Sequence, residues 1–129
     1  MGRKLSTTTQ DSKPIVSVKE TKGQFFIGVR EEHRQVESQF KNEDGTNKKF
    51  DVYDFLVEDT DMALLLKEGK EYVIAKVEVG ASVAVFAPSR LNNALKQTSA
   101  GDRIKFVYMG LGKATKFGAK PHEYEVEVL

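Results

Sequence analysis

Between Gly110 and Lys120 the chain places Lys113, Lys116 and Lys120 among three glycines, with one ring, Phe117, and no acidic residue. Ammonium groups on such a loop can neutralise phosphates, and an unshielded ring offers its face to a flat base. Phe117 stands in a polar, glycine-rich segment where no core is at hand. It therefore needs a partner from outside, either a base or another protein surface. The chemistry is that of a loop for a polyanion with flat faces, and single-stranded nucleic acid fits that description best.

Any such binding must be local. The 129 residues hold 20 Lys and Arg against 19 Asp and Glu, a formal net charge of +1. That length makes one domain with its own core, and 40% hydrophobic with 30% charged residues is ordinary for a globular protein. The absence of cysteine excludes disulfides and thiolate metal sites and fits a reducing cytoplasm. No apolar run reaches the ~18 residues of a membrane span, and the N-terminus lacks the apolar core of an export signal. A cytoplasmic protein with no membrane partner is expected.

Catalytic chemistry finds little support. His33 and His122 are far apart in sequence, and each reads as a polar surface residue. Glu58, Asp59 and Asp61 lack the ligand number and spacing of a calcium loop, and a solvated, helix-capping turn is the better reading. Gly110-Leu-Gly-Lys-Ala-Thr115 superficially resembles a phosphate loop. Val107 stands where the first glycine is required, and Ala114 replaces the magnesium-binding hydroxyl. No enzyme, metal or cofactor is expected.

The elements that must hold the basic loop are mostly strands. Met1 to Lys22 is polar and rich in Ser, Thr and Lys, which predicts a flexible arm whose last part can become ordered, ahead of a domain over 23–129. From Gln24 the apolar pattern has a period of two, with Gly28 marking a bulge or bend. Gln35 to Lys49 reads as a polar connection with an Asp44-Gly45 turn. Phe50 to Val57 is a second strand whose two faces both carry large apolar groups, so one ring is left on the surface. Asp59-Thr-Asp61 can cap a short helical turn over Met62 to Leu66, ended at Gly69. Glu71 to Val79 and Ser82 to Phe86 read as strand. Pro88 opens a short helix with Leu91, Ala94 and Leu95 as its apolar stripe. Ile104 to Met109 and Glu123 to Val128 alternate again. In the last strand Tyr124, Val126 and Val128 point inward and Glu123, Glu125 and Glu127 outward.

Five strands with one short helix between the third and fourth predict an all-β chain folded as a five-stranded oligonucleotide-binding barrel, the OB-fold. An SH3-like barrel competes but normally lacks a helix in that slot. In an OB-fold, strands two and three and the loops joining strands one to two and four to five face the ligand. Here that surface draws on Arg30, Arg34, Lys41, Lys48, Lys49, Tyr53, Phe55, Tyr72, Lys76, Lys113, Lys116, Phe117 and Lys120. For Tyr53, Phe55, Tyr72 and Tyr108, each taken alone, a place in the core is the competing role.

Several segments resemble a known family. They are Gly23-Gln-Phe-Phe-Ile-Gly-Val-Arg30, Phe86-Ala-Pro-Ser-Arg-Leu-Asn-Asn-Ala-Leu95, Gly101-Asp-Arg-Ile-Lys-Phe-Val-Tyr-Met-Gly110 and Lys113 to Val126. About half the chain is similar to the small OB-fold single-stranded DNA-binding proteins of bacteriophage replication modules, while Asp59 to Gly80 is longer than their pattern. The resemblance implies a non-enzymatic protein that binds single-stranded DNA with little sequence preference. It also implies replication or recombination proteins as partners and leaves room for a homo-oligomer. With Glu-Val-Leu129 closing a strand, the acidic-tail recruitment of bacterial relatives is not expected. Two rivals stand beside this reading, an OB-fold protein-interaction module of a phage particle or replisome and an RNA-binding protein.

Overall fold

The computed structural model describes residues 13–41, 43–68, 71–114, 118 and 120–129, and of these the side chains of all but 38–41, 67, 68 and 72. Among the described residues the fold is all-β with one short helix. Its strands are β1 (Ile15–Ser17), β2 (Phe25–Lys41), β3 (Asn47–Thr60), β4 (Ala63–Glu68), β5 (Glu71–Lys76), β6 (Ser82–Phe86), β7 (Arg103–Leu111) and β8 (His122–Val128), with α1 (Ser89–Leu95) between β6 and β7. All eight strands join one curled sheet in the order β5-β4-β1-β6-β3-β2-β7-β8.

Alternation along the strands builds the core. Tyr53, Phe55 and Val57 of β3 share a face with Val83 and Val85 of β6, Phe26 of β2, and Ile104, Phe106 and Tyr108 of β7. Phe26 stacks on Phe106 at 5.1 Å and meets Phe55 edge-on at 5.3 Å. Leu91 and Leu95 of α1 bury completely against this cluster. Pro88 sets the helix start, its carbonyl accepting from the Asn92 amide at 2.8 Å. Gly28 sits at a register shift in β2, as its place in the strand predicts. A Cβ there would lie 2.7 Å from the Leu56 carbonyl oxygen.

Among the described residues eight strands stand where five were expected, for local reasons. Leu64 and Leu66 pack on the core and alternate with Ala63 and Leu65, so the segment expected as a helical turn is β4 of a hairpin with β5. Asp61 caps no helix. Its Oδ1 accepts from the Phe25 amide at 2.7 Å instead. The polar connection expected over Gln35 to Lys49 is mostly paired strand, because β2 and β3 run together from Phe26↔Thr60 out to Lys41↔Asn47. The last part of the polar N-terminal segment is ordered against the sheet. Ile15–Ser17 pairs with β4 and β6, and Val16 and Val18 are core residues. Val128, expected inward, is 56% exposed, whereas Tyr124 and Val126 do pack on the core.

Candidate nucleic-acid interface

Because Tyr53, Phe55 and Val57 turn inward, Phe50, Val52, Asp54 and Leu56 lie on the outer face of β3. Val52 is paired with Phe86 of β6, which puts Phe86 on the same outer face, one diagonal step from Phe50. The two rings stand 6.5 Å apart at 54°, and Phe50 is 41% exposed. Together with Lys19, Ala87 and Pro88 they line a shallow, mostly apolar groove of about 230 Å³. A ring pair beside an ammonium group can take a base on the rings and a phosphate on the cation.

The cations divide into those with a polar partner and those with no carboxylate nearby. Arg30 is buried, its guanidinium 5.2 Å over the Tyr53 ring and donating from Nη1 to the Thr98 carbonyl and hydroxyl. Arg34 donates to the buried Asp54 from Nε at 3.3 Å and Nη2 at 3.2 Å, and Lys13 reaches the same carboxylate at 3.2 Å. Arg103 grips Glu58 through two bonds of 2.7 and 2.8 Å. Exposed lysines behave otherwise. Among the described residues, Lys19, Lys22, Lys48, Lys49, Lys113 and Lys120 have no carboxylate within 4.0 Å.

The segment after β1 ties the ring pair to the basic hairpin. Tyr124 donates to the Val18 carbonyl at 3.0 Å, which seats neighbouring Lys19 between β8 and the rings. Gly23 donates to the Tyr108 carbonyl at 2.7 Å, and a Cβ at Gly110, at the root of the β7–β8 loop, would lie 3.5 Å from the Lys22 stem. That root is closed by Gly112 donating to the Pro121 carbonyl at 2.7 Å. Glu123 lies over Gly112 and 3.8 Å from Arg90, so it is partly buried rather than a free outward charge.

A polar network backs the platform from inside. Tyr53 donates to Asn92 Oδ1 at 2.6 Å, Asn92 Nδ2 donates to Asp51 Oδ2 at 2.8 Å, and His33 Nε2 is 2.8 Å from Asp51 Oδ1. Burial alone would raise the Asp51 pKa. Hydrogen bonds from His33, Gln35 and Asn92 outweigh it and hold the carboxyl below its ordinary value. Burial, with the Asp51 charge adding to it, pushes the Tyr53 hydroxyl up, and burial does the same to Tyr124.

The sequence-predicted site is only partly assembled. Tyr53 and Phe55 are fully buried, so no base can stack on them. Arg30 and Arg34 are engaged inside the fold, and His33 and His122 are bound to Asp51 and Tyr108 rather than merely solvated. Lys76 ends β5 while Lys113 and Lys120 flank the β7–β8 loop, at opposite ends of the strand order. Lys48, Lys49, Lys113 and Lys120 are exposed as expected. Lys116, Phe117 and the side chains of Lys41 and Tyr72 lie outside the described residues. Phe86 and Lys19 were missed, and the surface ring expected on the second strand is Phe50. No sequence signal separated the two faces of that strand, since Asp54 lies on the even-numbered face and Asp51 on the odd-numbered one. No helix among the described residues is long and apolar enough to cross a membrane. Comparison of the chain with protein-family models, curated proteins and solved structures finds no match.

Proposed function

We propose that this chain binds single-stranded DNA, with little sequence preference, on the outer face of β3 and β6. The observation that carries the reading is the Phe50–Phe86 ring pair with Lys19 beside it. Bases stack on the rings, and phosphates run along Lys19, Lys22, Lys48, Lys49 and the β7–β8 loop with Lys113, Lys116, Phe117 and Lys120. The fold reading that goes with it is an enlarged OB-fold. β2, β3 and β6 serve as its first three strands, α1 as its helix, and β7 and β8 as strands four and five, with β1, β4 and β5 added. In support, β3 pairs both β2 and β6, β7 pairs back onto β2, and the helix falls between β6 and β7. The rings then stand on strands two and three, the face an OB-fold turns to its ligand. Binding is non-enzymatic, and it protects or presents unwound DNA during replication or recombination, as the resemblance to phage DNA-binding proteins implies.

Fluorescence anisotropy with labelled oligo-dT, matched RNA and duplex DNA tests this. Tight oligo-dT binding with weak duplex binding is the expected result. Equal or tighter RNA binding would assign the face to RNA, and no binding to any of the three would leave it to a protein partner.

A further inference from the structure

Among the described residues the sheet ends at β8 on one side and β5 on the other, so each of these strands has a row of backbone donors and acceptors with no described strand beside it. The two edges are not alike. Along β8, Glu123, Glu125 and Glu127 occupy one face, and a second copy laid antiparallel with faces matched would set glutamate against glutamate. Along β5 the charges Glu71 and Lys76 stand at the ends, with Tyr72, Val73, Ile74 and Ala75 between them. Ile74 is 72% exposed. Its register partner is Leu65 of β4, whose own partner is Ile15 of β1, so an apolar row crosses the outer face and stops at the open edge.

We propose that β5 is a self-association edge, on which a second copy of the chain pairs antiparallel about a twofold axis through Ile74. In that register Ile74 meets Ile74 of the second copy, Val73 meets Ala75 and Tyr72 meets Lys76. No like charges are opposed, and core faces stay on one side. The row Ile15, Leu65, Ile74 then continues into its own copy, and the free backbone groups of both edges are satisfied at once. β1 and β4 separate β5 from β6, so the Phe50–Phe86 groove stays open in both copies. This inference does not depend on what the groove binds.

The test is the mass of the purified chain by sedimentation equilibrium across a concentration series. The expected wild-type mass is twice 14.5 kDa. Ile74→Lys, which opposes two ammonium groups on the axis, should return it to the monomer mass while its circular dichroism stays that of the folded chain, because the side chain is exposed in the single chain. Ile74→Cys keeps the test open should that variant misfold. The chain has no cysteine, and directly opposed Cα atoms in an antiparallel pair lie about 4.5–5.5 Å apart, within disulfide reach. Oxidised Ile74→Cys should become a covalent dimer, whereas Val79→Cys, equally exposed but off the strand, should not. A wild type at monomer mass throughout would overturn the proposal. A dimer indifferent to Ile74→Lys, or crosslinking no greater for Ile74→Cys than for Val79→Cys, would do the same.

Discussion

Phe50 and Phe86 hold their ring centroids 6.5 Å apart on the outer face of β3 and β6, and Lys19 borders the same groove. The pair is positioned by β-sheet register, since Phe86 is opposite Val52 and Phe50 lies two residues away along the strand. Both rings project from paired strands, which gives a ligand a platform already in place.

Phe50→Ala should weaken oligo-dT binding by about 1–3 kcal/mol, the range for a base-stacking ring. Its effect on the thermal midpoint should be small, because the ring is 41% exposed. Phe50→Tyr should keep the affinity. Anisotropy and thermal melts on the same samples separate the two effects, and an unchanged affinity for Phe50→Ala would remove this ring from the site.

Tyr53 should behave in the opposite way. Tyr53→Phe leaves the buried Asn92 Oδ1 without its 2.6 Å donor, a loss of about 1–3 kcal/mol in stability. The ring lies wholly in the core, so affinity for single strands should not change. Denaturant unfolding checks the first half and anisotropy the second.

Asp51 gives a pH signature. Its pKa is lower in the fold than in the unfolded chain, so the folded state prefers the ionised form. The resulting stability is fully present above the ordinary aspartate value of about 4 and is lost as pH falls through the lower folded value. Melting temperatures of wild type and Asp51→Asn should therefore differ at neutral pH and converge as the medium is acidified below about pH 4. A gap that stays constant with pH would mean that Asp51 ionisation contributes nothing.

Much of the fold was legible where a single period ruled. The Pro88 start with Leu91 and Leu95 gave the helix, and alternation gave β7 and β8. Asp59 to Gly80 misled because Asp-Thr-Asp before Met and three leucines satisfies a capped helix as well as an extended strand. Only pairing with β1 and β5 decides for the strand. The site was harder still. β3 has large apolar groups on both faces, so its pattern cannot say whether Phe50 or Tyr53 is outside. Nor does sequence spacing show Arg30 buried over Tyr53, Arg34 committed to Asp54, or the Lys19 segment folded back against β8. Those are long-range contacts.

The central claim is that phosphates of a single strand lie along free lysines, and its most direct test is the salt dependence of oligo-dT affinity. Each phosphate neutralised contributes a slope of about −0.7 in log affinity against log salt for single strands. Wild type should bind oligo-dT with a clear negative slope. Replacing Lys113, Lys116 and Lys120 together with alanine should flatten that slope by roughly 2 units while the protein stays folded. A wild type that does not bind, or a folded triple variant with an unchanged slope, would contradict the account.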